Sequence, residues 1–350
     1  MKNKLLAISI ALSCIFSLSA CKQGNVANNN SEKSLYVIQS DPSQSDSKII
    51  KLDSDLNVIA EKKVDVKSIA KGFKNIDSDG KNIYITTEFM NAYSSEYLKK
   101  ILKYDTTKND ISYINMPLTL TDTVSCDKES TYTTYNWNGK CDLFKIGMDG
   151  KKEASFTFDE SGFSPYTKVI GNKLYVSYSK ILGKSDRSAI YCFDKDTLKK
   201  EYSYYMDERD FMSANSIIKK GNRIFLVGGL NNSQKENGVM QVYDEVKKEY
   251  KSYKMDYKAN SAFLVGDDIY IFTTETNDVS FNKGIVYKFD TKNDKLQMIK
   301  TLDKSFYSVE RIGDRYVLVL RNKLYLLDDS FKIIKEIDLK NDYNLEIIAV

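Results

Sequence analysis

Residues 82–110 read NIYITTEFMNAYSSEYLKKILKYDTTKND. Within this stretch NIYITTEF (82–89) is a run of β-branched and aromatic residues in which Ile83 and Ile85 alternate across Tyr84, the period of a strand. KILKYD (100–105) is a second such run, and it stops on Asp105 before TTKND, a cluster of turn formers. The second run returns along the chain as SKIIKLD ending at Asp53, DLFKIGMD at Asp149, AIYCFD at Asp194, MQVYD at Asp244, VYKFD at Asp290 and KLYLLD at Asp328. Successive aspartates lie 52, 44, 45, 50, 46 and 38 residues apart, close to the roughly 40–50 residues of one propeller blade.

Each Asp-ended run has an upstream partner: SLYVIQ at 34–39, TYTTYNW at 131–137, KLYVSYS at 173–179, RIFLVGG at 223–229, DIYIFTTE at 268–275 and YVLVLR at 316–321, besides NIYITTEF. Tight turns precede many of these, at Gly80-Lys81, Gly171-Asn172, Gly221-Asn222, Gly266-Asp267 and Gly313-Asp314, where Gly, Asn and Asp accept the positive φ of a hairpin. A weaker strand runs into each turn, for example Val309 to Ile312, and another follows each Asp, for example Glu249 to Met255. Four strands per unit make one blade, and helices have almost no room. The repeat is out of phase with the chain. The body begins on a second strand, SLYVIQ, and ends on NLEIIAV, which reads as an inner strand without a blade. Joined, the two complete a seventh unit. The expected fold is all-β: a seven-bladed β-propeller of four-stranded antiparallel blades, its ring closed by the C-terminal strand joining the N-terminal blade.

The first twenty residues read as an export signal, with Lys2 and Lys4 ahead of an apolar stretch from Leu5 to Leu18 that is short for a spanning helix. Leu18-Ser19-Ala20-Cys21 resembles the lipobox of bacterial lipoproteins, which implies cleavage before Cys21 and a lipid on its sulfur. The expected domains are a signal over 1–20, a flexible polar tether over 21–33 and the propeller over 34–350, lipid-anchored on the extracytoplasmic face of a bacterial membrane. Lys plus Arg total 52 against 48 Asp plus Glu, interspersed rather than clustered, which gives no basic stripe for nucleic acid. Cys126, Cys141 and Cys192 remain, an odd set without a C-x-x-C pair, read as buried thiols rather than a zinc site or a disulfide framework. No cofactor and no metal is expected, and the body reads as a monomer.

The phrase KNIYIT followed by KILKYDTTKND resembles the YncE-like and generic seven-bladed propellers of bacterial surface and exported proteins, over nearly all of 34–350. That resemblance implies a fold and little chemistry. With no His the G-H…W-D signature of WD-type repeats is impossible, and Trp137, the sole tryptophan, excludes the recurrent Trp of quinoprotein blades. Residues 224–250 resemble a single kelch blade through Gly228-Gly229 and Tyr243.

Absence of His also removes the usual general base and the Ser-His and Cys-His nucleophile pairs, leaving carboxylates, Lys and Tyr. Asp53-Ser54-Asp55 and Asp77-Ser78-Asp79-Gly80 lack the distal Glu of an EF-hand loop and read as Asx turns. One mouth of a propeller's channel forms where inner strands begin. Counting back from the turn glycines places Asn75, Tyr166, Asn215, Ser216, Asn260, Ser261, Tyr307 and Ser308 there. ANSI (214–217) and ANSA (259–262) are near-copies. Such polar residues serve one of two ends, hydrogen-bonding a ligand or satisfying backbone groups and channel water. Polar inserts at 88–99, 180–188, 229–238 and 275–283 share that face and carry Glu88, Tyr93, Arg187, Asn231 and Glu275. The leading expectation is a binding or scaffold module for a surface polymer, peptide or partner protein. The alternative is a His-free hydrolase or lyase acting on carbohydrate or a small polar ligand, with Glu88 and Glu275 as paired carboxylates.

Overall fold

A computed structural model describes residues 33–40, 47–64, 68–69, 74–89, 99–116, 122–137, 139–180, 187–206, 212–230, 238–275, 283–339 and 344–350. Among the described residues every regular element is a strand, and no helix is long and apolar enough to cross a membrane. The strands form seven antiparallel sheets, the blades I to VII of a β-propeller.

Blade I joins Leu35–Ser40, Lys48–Leu52 and Val58–Lys63 from the front of the propeller to Asn344–Ala349 from its end, which takes the innermost place beside Leu35–Ser40. The ring therefore closes as the strand count requires. Blades III to VII each run outward from their inner strands: Thr123–Cys126, Gly162–Ile170, Met212–Lys220, Lys258–Val265 and Ser308–Ile312. Blade II departs from the pattern, because its inner strand is broken into Ser68–Ile69 and Ile76–Ser78, both paired to Asn82–Phe89.

The recurrent aspartates act as turn caps. Asp53, Asp105, Asp194, Asp244, Asp290 and Asp328 each accept two backbone N–H groups from the next two to four residues, and Asp149 accepts that of Lys151. These are Asx turns, as read at Asp53. The chain leaves three of them through an apolar residue at positive φ, Leu56 (58°), Leu198 (53°) and Phe331 (62°). A left-handed residue costs about 1–2 kcal/mol. All three side chains are buried, and burial of a large apolar group returns roughly that much or more.

Seven apolar clusters fill the gaps between neighbouring blades. Tyr36 and Ile49 of blade I meet Ile83 and Tyr104 of blade II, and Leu35 and Val37 meet Val317 and Val319 of blade VII across the closing seam. Aromatic residues crowd the seams between blades III and IV, where Phe158 stacks on Tyr178 at 4.5 Å, and between blades VI and VII, where Phe272 meets Tyr316 at 5.0 Å. Each blade is sealed by both neighbours, so none has a complete core alone. Cys126, Cys141 and Cys192 are free thiols buried in this packing. Gly228, the kelch-like glycine, has a packing reason: a Cβ there would collide with the Ser213 carbonyl oxygen of the inner strand.

Candidate functional site

Three inner strands share an irregularity near their first turn of register, between Phe163 and Tyr166, Ala214 and Ser216, and Ala259 and Ser261. In the last two the residue without a partner is the Asn of the repeated Ala-Asn-Ser, so the bulge turns that amide toward the next blade. Asn215 Nδ2 donates to the Ala259 carbonyl at 2.6 Å, and Asn260 Nδ2 donates to that of Phe306 at 2.9 Å. Ser216 Oγ accepts from Ala262 N–H at 3.2 Å, and Ser261 Oγ donates to the Val309 carbonyl at 3.0 Å. The repeat thus fastens blade V to VI and VI to VII.

The inner strands enclose a central cavity of about 810 Å³, and all eight mouth residues read from the sequence lie on its wall. Tyr307 is 45% exposed, and its hydroxyl donates to the Arg321 carbonyl at 2.6 Å. The Tyr166 ring faces the Lys74 ammonium at 4.9 Å. Glu275 is not on this wall. Glu275 follows strand Asp268–Thr274, its N–H donating to the Lys283 carbonyl at 3.1 Å, while the Glu88 side chain lies outside the described residues. Arg187 opens the third strand of blade IV; Cys21, Tyr93 and Asn231 also lie outside the described residues.

The wall's charges are ones the sequence reading did not single out. Asp77, read as part of a turn, is instead 5% exposed on blade II and meets Lys74 at 3.3 Å and Lys168 of blade IV at 3.0 Å. It also accepts Ser125 Oγ and Cys126 N–H from blade III, each at 3.1 Å. Burial disfavours the Asp77 anion, but the two ammonium groups outweigh it and hold the carboxyl well below the usual range. Burial pushes Lys74 down to about 8 despite the attraction of Asp77. Burial and the Asp77 charge push the Cys126 thiol far up, so it is no nucleophile.

On the opposite side, blades VII and I contribute Glu310 and Glu346. Burial raises Glu310 to about 7, against the Arg311 N–H that its Oε1 accepts at 3.1 Å and the charge of Lys168. Burial alone raises Glu346 to about 7, and its carboxyl has no hydrogen bond or ion pair among the described residues. A carboxyl near neutrality can bind a cation or pass a proton. The available signal was a lone charged residue, Glu346, among the apolar Leu345, Ile347, Ile348 and Ala349 of the inner strand.

No protein-family model matches the chain, and no curated protein is significantly similar to it. Solved structures are similar in fold. A putative 6-phosphogluconolactonase from Bacteroides fragilis has a TM-score of 0.62 at 12% identity, covering 91% of this chain and 98% of that one. Another from Bacteroides uniformis has a TM-score of 0.61 at 10% identity, covering 91% of this chain and all (100%) of that one. The acylaminoacyl peptidase of Pyrococcus horikoshii has a TM-score of 0.54 at 14% identity, with 88% of this chain matching 50% of that one. Identities this low carry the propeller architecture and no activity.

Proposed function

We propose that the chain is a binding module, a propeller held at the outer face of a bacterial membrane by lipid on Cys21, engaging a surface polymer, peptide or partner protein at the channel mouth. The observation that carries this is the cavity, about 810 Å³ and walled by polar and charged groups from the inner strands, within the roughly 300–1,000 Å³ of ligand sites. The lipid anchor rests on Leu18-Ser19-Ala20-Cys21 and the polar tether that follows. Cross-linking at the cell surface and mass spectrometry of the captured material test the binding role, comparing wild type with a Lys168→Met, Glu346→Gln variant. Partners retained equally by both would remove the channel from the reading. Membrane fractionation of Cys21→Ser tests the anchor: release from the detergent phase is expected, and retention as firm as wild type would refute it.

A hydrolase reading has one specific observation behind it, the two glutamates poised near neutrality in a cavity whose fold resembles structures described as putative 6-phosphogluconolactonases. Glu310 and Glu346, rather than Glu88 and Glu275, would then divide the acid and base roles. Hydrolysis of a phosphorylated sugar lactone, lost in Glu310→Gln and Glu346→Gln, would support it. A rate no faster than buffer would dispose of it.

A further inference from the structure

Apart from Lys258 of blade VI, the charged groups of the cavity wall fall on two sides. Lys168 reaches across the front of blade III to join Lys74 and Asp77, two ammonium groups sharing one carboxylate, so that side keeps a net positive charge. The far side, where blades VII and I meet, presents Glu310 and Glu346. A second observation points to a missing ligand group. Asn75, 1% exposed on the wall next to Lys74, has an amide Nδ2 without a partner among the described residues. A buried amide left so costs about 1–3 kcal/mol, and an incoming acceptor would recover it.

We infer that the cavity takes a short zwitterion, an amino acid or small peptide with both ends free, its carboxylate on Lys168, Lys74 and Asn75 and its ammonium on Glu346 and Glu310. The inference rests on the channel being the binding site. An anion alone would leave Glu346 unsatisfied, and a cation alone would leave the lysine side unneutralised. A ligand with both charges answers both walls and gives up its own hydration only where each end is compensated. The carboxyl of Glu346 must ionise to receive an ammonium, so binding near neutral pH releases a proton.

Calorimetric titration of the full chain in mild detergent with glycine, diglycine, triglycine and tetraglycine, each also as the N-acetyl and the C-amide form, tests this. One length is expected to bind best, and blocking either of its ends should weaken it by about tenfold or more. Glu346→Gln should erase the preference for a free ammonium and spare that for a free carboxylate. Lys168→Met should do the reverse. Thermal melts of both variants identify any that fail to fold, and the blocked peptides on wild type need no variant at all. Blocked peptides binding as tightly as free ones, or no binding by any member, would overturn the inference. The channel reading survives either result if surface cross-linking still depends on the channel residues.

Discussion

Val37, in the first strand of the propeller, and Ile347, in the last, face each other in one antiparallel register. Their blade is built from both ends of the body, and both side chains enter the cluster that seals blade I against blade VII. Closure of the ring is therefore a packing event between residues nearly the whole sequence apart.

Deleting residues 344–350 removes Leu345 and Ile347 from that seam and strips Leu35–Ser40 of its inner partner. Each side chain is worth about 1.5–3 kcal/mol of burial. An unpaired inner edge adds to the loss. A drop in melting temperature of about 10 °C or more, in a single transition, is expected by calorimetry. A truncated chain melting within a degree or two of the full one would show that closure contributes nothing.

Asn215 and Asn260 hold neighbouring blades together through carbonyls that would otherwise lack this donor. Replacing either by Ala is expected to cost about 1 kcal/mol, read as a lower urea midpoint at unchanged slope. Unchanged midpoints with weakened capture of surface partners would return both asparagines to the ligand.

Asp77→Asn leaves Lys74 and Lys168 facing each other without their shared carboxylate. Breaking a buried pair in this way costs about 3–5 kcal/mol, and the double variant with Lys74→Met should recover part of it. Denaturant unfolding of the two variants decides the point. Equal stability of Asp77→Asn and wild type would mean that the lysines separate into solvent.

Glu346 should make the protein less stable as pH rises. Its carboxyl is raised from 4.5 to about 7 by burial, so the folded state holds a proton that the unfolded chain has lost between those values. Its favourable contribution is full below pH 4.5 and is lost as pH rises through about 7. Tyr307 feels its charge, and the strands packed against its own carry Tyr36 in blade I, Glu310, Arg311, Arg315 and Tyr316 in blade VII and Asp77 in blade II, the last already tied to its lysines. Glu346→Gln is therefore expected to melt with wild type at pH 4.5 and about 2–4 °C above it at pH 8. A constant difference across that range would mean the group titrates normally.

Most of the architecture was legible because its determinants are local. Alternation in NIYITTEF, the Gly turns and the Asp caps each act within a few residues, and their repetition counts the blades. Even the closing strand followed from counting, since a propeller leaves no inner edge unpaired. The mouth residues were placed on the channel wall by the same arithmetic.

What those residues touch was decided only by the assembled ring. A strand's period of two says which side chains share a face, not whether that face meets the channel or the next blade, and a bulge such as that at Asn215 moves the alternation by one. Asp77 read as a turn residue because its neighbours Ser78, Asp79 and Gly80 form one, yet its own carboxyl joins Lys74 to Lys168 over ninety positions away. Glu88 and Glu275 stood out in polar inserts, whereas Glu310 and Glu346 on the channel wall were single letters within short inner strands. Local propensity fixes where the backbone turns. The charge a cavity carries depends on which strands are brought together around it, and that is set by packing between blades far apart in sequence.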